Sequence, residues 1–501
     1  CLLPEFPQIL HPFAKKLYYL CIVQIYLCFQ EKLKLLIMHC TKPVLLTFLA
    51  AVLASCTDGD QWKMVPIIEQ SVTLTSFPAD TFNIKDFGAV ADDTSFLNTA
   101  AIEAAIVECH GAGGGVVLVP AGRWTTGPIT LLSNVNLHVS ENAKLLFSTD
   151  GELYLPPVMT RWEGMDCYNI HPLIYANGAS NIALTGKGTI DGQASNEAWW
   201  WMNGNPDYGW KEGMNNQRIS GRAQLLGFEQ NQTPVEDRRF GLEGALRPQL
   251  VNFMNCNTVL IEDLTLRNSP FWVIHPVLTD NFILRGVTIE SAGPNSDGCD
   301  PESCNGVIIE NCHFDTGDDC IAIKSGRNND GRRWSVPSQN IIVRKCRMAD
   351  GHGGVVIGSE ISGGFANLFV EDCEMDSQEL LRVIRIKTSD CRGGVIENVN
   401  VRNIRVGKCE EAVLKINLMY EPQENCLRDF PPYVRNVTLD NVTSEQSRYG
   451  VYIIGLDSTV NVSDVTVRNC SFSGVEEGIS VTGAERVRFR NFSINGKKVR
   501  R

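Results

Sequence analysis

The chain has 501 residues, 44% of them hydrophobic and 20% charged, which excludes a disordered or fibrous protein. A formal net charge of −12 excludes a protein that holds nucleic acid or any other polyanion by bulk field, so an acidic ligand would need local Arg and Lys. With 43 Gly and many short Val/Ile runs, the composition points to β structure with frequent tight turns rather than to a helical enzyme.

Residues 1–37 match neither a signal peptide nor the start of a domain and read as upstream sequence. From Met38 the pattern changes: Lys42 supplies a positive flank, and Val44 to Leu53 form an apolar core too short to span a bilayer. It ends in Leu53-Ala54-Ser55-Cys56, which resembles a bacterial lipobox. The expectation is a lipoprotein signal over 38–55, a lipid anchor at Cys56, a tether over 56–80, and a place on the cell envelope, in the periplasm or at the outer-membrane surface. Residues 94–109 are the one amphipathic helix candidate, placed where a cap on the open end of a repeat structure is needed. Gly111 to Gly122 read as the tight entry to the first coil, with no Gly-Lys-Ser/Thr to make a phosphate loop. Residues 193–246 carry Trp199, Trp200, Trp201 and Trp210 and read as an insertion at one edge of a groove, either a packed wall or a sugar platform.

From residue 257 one pattern returns: alternating apolar residues, a charged residue, Asn/Asp/Gly/Lys, then an apolar anchor. The anchors are Leu264, Val287, Cys312, Cys346, Cys373, Val399, Val442, Cys470 and Phe492, spaced 23, 25, 34, 27, 26, 43, 28 and 22 residues apart. Such a period signals a solenoid. There is no room for a helix in each repeat, no leucine-rich consensus and no propeller period, so a parallel β-helix is predicted, with the longer spacings as loops bulging from a coil. Thirteen of the 18 Cys follow Cys56. That odd number cannot all pair internally. Those at repeat-equivalent positions read as small buried hydrophobes, and spacing does not decide whether Cys299 and Cys304 are bonded.

Four neighbouring coils carry polar clusters: Asn295-Ser296-Asp297, Gly317-Asp318-Asp319, Gly351-His352-Gly353 and Arg385-Ile386-Lys387. Asp318 lies six residues after Cys312 and His352 six after Cys346, so their side chains should stack at one interstrand spacing, roughly 4.8 Å. Each cluster alone could be a turn, a loop cap or a solvated strand face. Together they bring like charges close, which weakens a fold and calls for a function.

In order and content the four clusters resemble the motifs of the polygalacturonases, family 28 of the glycoside hydrolases, with Ser296 in place of a threonine; the similarity covers roughly residues 80–495. The resemblance implies a right-handed β-helix over 81–501 and inverting hydrolysis of α-1,4-galacturonosidic bonds in pectin, with no cofactor and no metal. It implies Asp318 as general acid, Asp297 and Asp319 as holders and activators of water, and His352 as keeper of the acid's protonation state. Arg385 and Lys387 would grip a substrate carboxylate through charge-assisted hydrogen bonds, helped by Asn295, Lys324 and Arg327. The expected partner is an acidic polysaccharide, bound by a monomer. Residues 193–246 and the loop 326–333 should wall off the non-reducing side and favour cleavage from the chain end. The alternatives are a rhamnogalacturonan hydrolase of the same family, a pectate lyase, and a non-catalytic pectin-binding lipoprotein.

Overall fold

The computed structural model describes residues 60–421, 423–456 and 460–500, and the compact unit within it is Trp62–Arg501. The signal segment 38–55 and Cys56 lie outside the described residues. The chain is a parallel β-helix, as expected. A first ladder runs through Val259, Phe282, Val307, Ile341, Leu368, Val399, Val437, Val465 and Val487, each the register partner of the next. A second runs through Leu266, Ile289, Phe314, Met348 and Met375. A third runs through Ile274, Cys299, Ile321, Val355, Ile384, Leu414 and Val451. Alternation sends every second side chain into the tube, where these residues form one continuous core.

A bend near the start of each first-ladder strand accounts for part of the Asn content. Asn340, Asn367, Asn398 and Asn436 sit at φ of +57°, +66°, +60° and +58°. Asn tolerates that left-handed conformation better than other side chains. Each amide also donates to the Asn one coil earlier, at 2.8, 2.9, 2.9 and 3.1 Å. One residue type thus makes the corner and ties it to its neighbour.

The structure corrects several readings. The equivalent of Cys373 is Ile404, not Val399: Glu374 pairs with Arg405, and Ile404 with Val442. Val395–Lys408 is one long strand in which the repeat pattern matches twice, five residues apart, and the earlier match belongs to the first ladder. The helix α2, Thr99–Gly111, caps the first coil through Ile102, Ala105, Ile106 and Cys109. It begins later than 94 because Asp93 Oδ1 accepts from the Ser95 backbone at 2.9 Å and its hydroxyl at 2.6 Å, which holds a turn. Among the described residues, Cys391 and Cys426 form a disulfide and eleven buried cysteines are free, Cys299 and Cys304 among them.

The tether is also corrected, in its middle. The helix α1, Met64–Ser71, buries Val65 and Ile68, with Val72 just after it, against Ile283, Ile308, Ile342 and Phe369. These four face outward from the first ladder, where a solvated β-helix would carry polar residues. Trp62 meets Phe369 edge-on at 5.4 Å, and Arg402 covers its ring at 3.7 Å. A strand whose apolar run faces both in and out needs a second cover, and α1 is that cover. Ile68→Ala should therefore lower stability by about 2–3 kcal/mol without changing catalytic rate, measured by denaturant unfolding alongside activity. An unchanged midpoint would show that α1 is not seated on the coils.

Candidate active site

Three of the four clusters fall where the coil passes from its second ladder to its third, and the fourth lies on the third-ladder strand. Asp297 stands just before Cys299. Asp318 and Asp319 lie between His313–Thr316 and Ile321–Ile323, and His352 between Arg347–Asp350 and Val355–Ile357. Arg385 and Lys387 lie on the third-ladder strand Arg382–Lys387. Backbone bonds fasten these turns together: Gly298 N–H donates to Asp319 O at 3.0 Å, Cys320 N–H to Gly353 O at 2.8 Å, and Gly354 N–H to Arg382 O at 2.9 Å. The glycines around His352 are required by crowding. A Cβ on Gly351 would stand 2.6 Å from Asp318 O, and one on Gly353 2.9 Å from Asp319 Oδ1.

The three aspartates each bring one carboxylate oxygen to within 4.8 Å of the others. Their surroundings differ. Asp319 is fully buried and pairs with Lys387 Nζ at 2.7 Å and Arg385 Nη1 at 3.5 Å. Asp318 faces His352, with Oδ1 3.0 Å from the imidazole Nδ1, and the same oxygen accepts the Asp319 N–H at 3.0 Å. Burial pushes the Asp318 carboxyl up, but the hydrogen bond and charge of His352, then Lys387 and Lys324, overcome this and hold it at about 2. The hydrogen bond to Asp318 raises the imidazole in turn. Between those two titrations the pair holds one proton, on the imidazole. Burial, then the charges of Asp300 and Asp318, push Asp297 well above the usual carboxylate range. The same three carboxylates could surround a cation, but Asp319 already has Lys387 and Arg385 against it and Asp318 has His352.

The sequence reading passed over Asp300, three residues after Asp297. It is fully buried, has Lys324 at 3.4 Å, and burial raises it well above its ordinary range. Also missed were Trp272 and Tyr420. Lys324 Nζ lies 4.5 Å above the Trp272 ring, while Arg385 and Lys387 each stand 5.4 Å from the centre of Tyr420. Tyr420 sits in a long spacing between repeats, where no periodic signal reaches.

Two expected substrate contacts are largely occupied within the protein. Arg327 is 1% exposed and meets Glu163, Glu360, Glu421 and Glu424 at 3.0–3.4 Å. Lys324 is 2% exposed and is shared between Asp300 and Glu360. Asn295 has its amide oxygen fixed by Asn203 of the insertion at 3.1 Å and by Arg247, just after it, at 2.7 Å. The tryptophans of the insertion form packed wall rather than platform: Trp199 is buried edge-on to Tyr154, and Trp200 Nε1 donates to Ser269 O at 2.9 Å.

The wall has three parts: the hairpin Val158–Trp162 and Met165–Asn169, the insertion helix α3 (Gly221–Gln230), and the short helix α4 (Asn328–Trp334). Glu163 at the hairpin tip pairs with Arg222 of α3 at 2.7 Å. The Asn329 N–H of α4 donates to Glu229 of α3 at 2.6 Å. The cavity beside them, about 340 Å³, has Glu163, Arg222, Arg327 and Glu421 on one side, Asp297 and Asp318 on its floor, and Arg382 and Leu381 on the other side.

A sequence profile described as Glycosyl hydrolases family 28 matches residues 212–488. A protein of Vitis vinifera named a probable polygalacturonase is 31% identical over 377 residues, 73% of this chain and 69% of its own. The exo-poly-alpha-D-galacturonosidase of Dickeya chrysanthemi is 25% identical, covering 85% of this chain and 72% of that one. The crystal structure of a hyperthermoactive exopolygalacturonase from Thermotoga maritima superposes with a TM-score of 0.83 at 40% identity, over 87% of this chain and 96% of that one.

Removing one partner of a buried ion pair strands the other charge. Lys387→Met should cost roughly 3 kcal/mol of stability, and adding Asp319→Asn should recover most of it. Denaturant unfolding of the single and double variants measures this. A single variant as stable as the parent would show that Asp319 does not depend on Lys387.

Proposed function

The chain belongs to glycosyl hydrolase family 28 and is a polygalacturonase, and we propose that it releases single galacturonate units from the non-reducing end of pectic chains with inversion at the anomeric carbon. The observation that carries the exo reading is the wall: hairpin, α3 and α4 close the cavity a short way beyond the aspartates, while the side bearing Leu381 and Arg382 stays open. The exopolygalacturonase of Thermotoga maritima, alike over most of its length, supports the same reading. A terminal sugar would sit between wall and acids, with the rest of the chain leaving past Arg385 and Lys387. Those two cations share one buried acid, so positive charge remains there for a substrate carboxylate.

In this reading the Asp318–His352 pair supplies the proton. It passes from the imidazole Nδ1 to Asp318 and on to the glycosidic oxygen as that bond breaks. A water held by Asp297 and Asp319 adds its oxygen to the anomeric carbon and gives its proton to one of those two carboxylates. Asp297, with its raised proton affinity, suits the accepting role. The aspartates stand closer together than the roughly 6.5–9.5 Å usual for inverting pairs. Inversion is favoured here by the family and by Asp319, which is held by two cations behind the cavity floor rather than free to attack. Proton NMR of the first-formed anomer tests this directly: a β product supports inversion and an α product overturns it.

The exo reading is tested by products. Hydrolysis of polygalacturonate should yield monomer from the first time points while viscosity falls slowly. A ladder of oligomers with a rapid viscosity drop would show an open groove.

The pH profile follows from the shifted groups. Activity should be lost as pH falls through the raised Asp297 value, because the base is then protonated, so the acidic limb should lie above the ordinary 3.8. It should be lost again as pH rises through the raised His352 value, because the pair then has no proton to give, so the alkaline limb should lie above 6.5. In a plot of kcat/KM against pH, His352→Ala should move the alkaline limb to lower pH. A limb that stays in place would remove His352 from proton supply.

A further inference from the structure

The catalytic cavity does not end at Arg382. It shares Leu381 and Arg382 with a larger one, about 570 Å³, which continues along the following coils. The floor of this second groove rises by one strand per coil: Arg382 is the register partner of Ala412, Lys408 of Gln446, and Ser447 of Val475. Its charged lining differs from that around Arg385 and Lys387. Three cations, Arg382, Lys408 and Arg448, face three acids, Glu410, Glu411 and Glu476. Two of the cations are already engaged: Arg382 closes on Glu411, which also takes Lys415, and Arg448 pairs with Glu477 at 2.6 Å. The amides of Gln378 and Gln446 add neutral donors and acceptors.

We infer that this second groove holds the departing part of the polysaccharide by its hydroxyls rather than its carboxylates, and so accepts methyl-esterified galacturonate there. The inference rests on the chain-end reading above, which sends the leaving sugars this way. A carboxylate laid in the groove gains little from Arg382 and Arg448, which are already paired, and against the one remaining lining cation, Lys408, it meets both Glu410 and Glu476. A methyl ester removes that repulsion, keeps a carbonyl acceptor and leaves every ring hydroxyl in place. At Arg385 and Lys387 the balance is the opposite, since two cations stand against one buried acid. The enzyme would thus demand free acid next to the cleaved bond and disregard esterification further along. Its natural substrate would be partly esterified pectin whose chain ends alone have been de-esterified.

The test uses the full chain and two tetragalacturonides, one fully acidic and one methyl-esterified on its two reducing-end residues. The two should give kcat/KM within about twofold of each other, and a loss of about tenfold on the esterified one would overturn the inference. Gln446 is exposed and its backbone carbonyl accepts from the Cys409 N–H, so Gln446→Trp should fill the groove. It should cut kcat/KM on the tetramer about tenfold while leaving digalacturonate hydrolysis unchanged, and an unaffected tetramer would overturn occupancy of the groove. Should that variant fold poorly, Glu410→Gln with Glu476→Gln makes the groove positive. The acidic tetramer should then gain about threefold over the esterified one, and no change would overturn the charge argument. The first products separate this inference from the reading beneath it. Monomer plus trimer keeps the chain-end reading whatever the ester comparison gives, whereas dimer sinks that reading by itself.

Discussion

Strand stacking at one repeated spacing, roughly 4.8 Å, governs this molecule. Because each coil bonds to the next through its backbone, a residue placed at the same offset in successive coils lands one spacing along the tube axis. That is how Asp318 and His352 come to stand side by side, while Asp297 and Arg385 reach the same cavity from the neighbouring coils at adjacent offsets. The same regularity aligns the asparagine corners and the thiols, and it leaves the loops free to differ. Function is written across the coils, while stability runs along the core inside them.

The arrangement forces an electrostatic problem, since stacking brings like charges together as readily as unlike ones. Three aspartates with oxygens within 4.8 Å of one another would repel strongly if all were charged and alone. The protein gives each a different environment. Asp319 is met by Lys387 and Arg385, Asp318 by the proton on His352, and Asp297 is left with burial and neighbouring acids. Chemically identical side chains thereby acquire different proton affinities, which acid–base catalysis requires. The wall solves a similar problem differently: Arg327 and Arg392 hold Glu421 and Glu424 together, so charged groups pack where a solvated loop would otherwise hang.

How much of this could be read from sequence depended on periodicity. The β-helix and the polar clusters on its coils follow from repetition, the capping helix from its amphipathic pattern, and the structure brings all four clusters together. Where a signal occurred twice within one strand, at Val399 and Ile404, the register was lost. Where a residue lay outside the repeat, as with Tyr420 and Glu163, its place in the cavity came from loop geometry that no spacing encodes. Lys324 and Arg327 had the right charge and position, but whether a cation is free or already paired depends on acids brought in from distant loops. The seat for α1 did leave a trace, in apolar residues on both faces of the first-ladder strands at Ile283, Ile308, Ile342 and Phe369. An inward-facing core alone does not account for them.

The cysteines carry a consequence for how the chain must be made. Cys312, Cys346 and Cys373 occupy the same position in three consecutive coils, each one strand spacing from the next, and all three are buried thiols. Once the coils have closed, no oxidant or exchanging thiol reaches them. Before closure they are open to mispairing with one another and with the eight other free thiols among the described residues, where Cys391 and Cys426 are the pair with a bond to make. A maturing chain in an oxidising compartment therefore faces a race between winding its coils and cross-linking them wrongly. The faster the tube winds, the fewer molecules are lost to scrambled bridges.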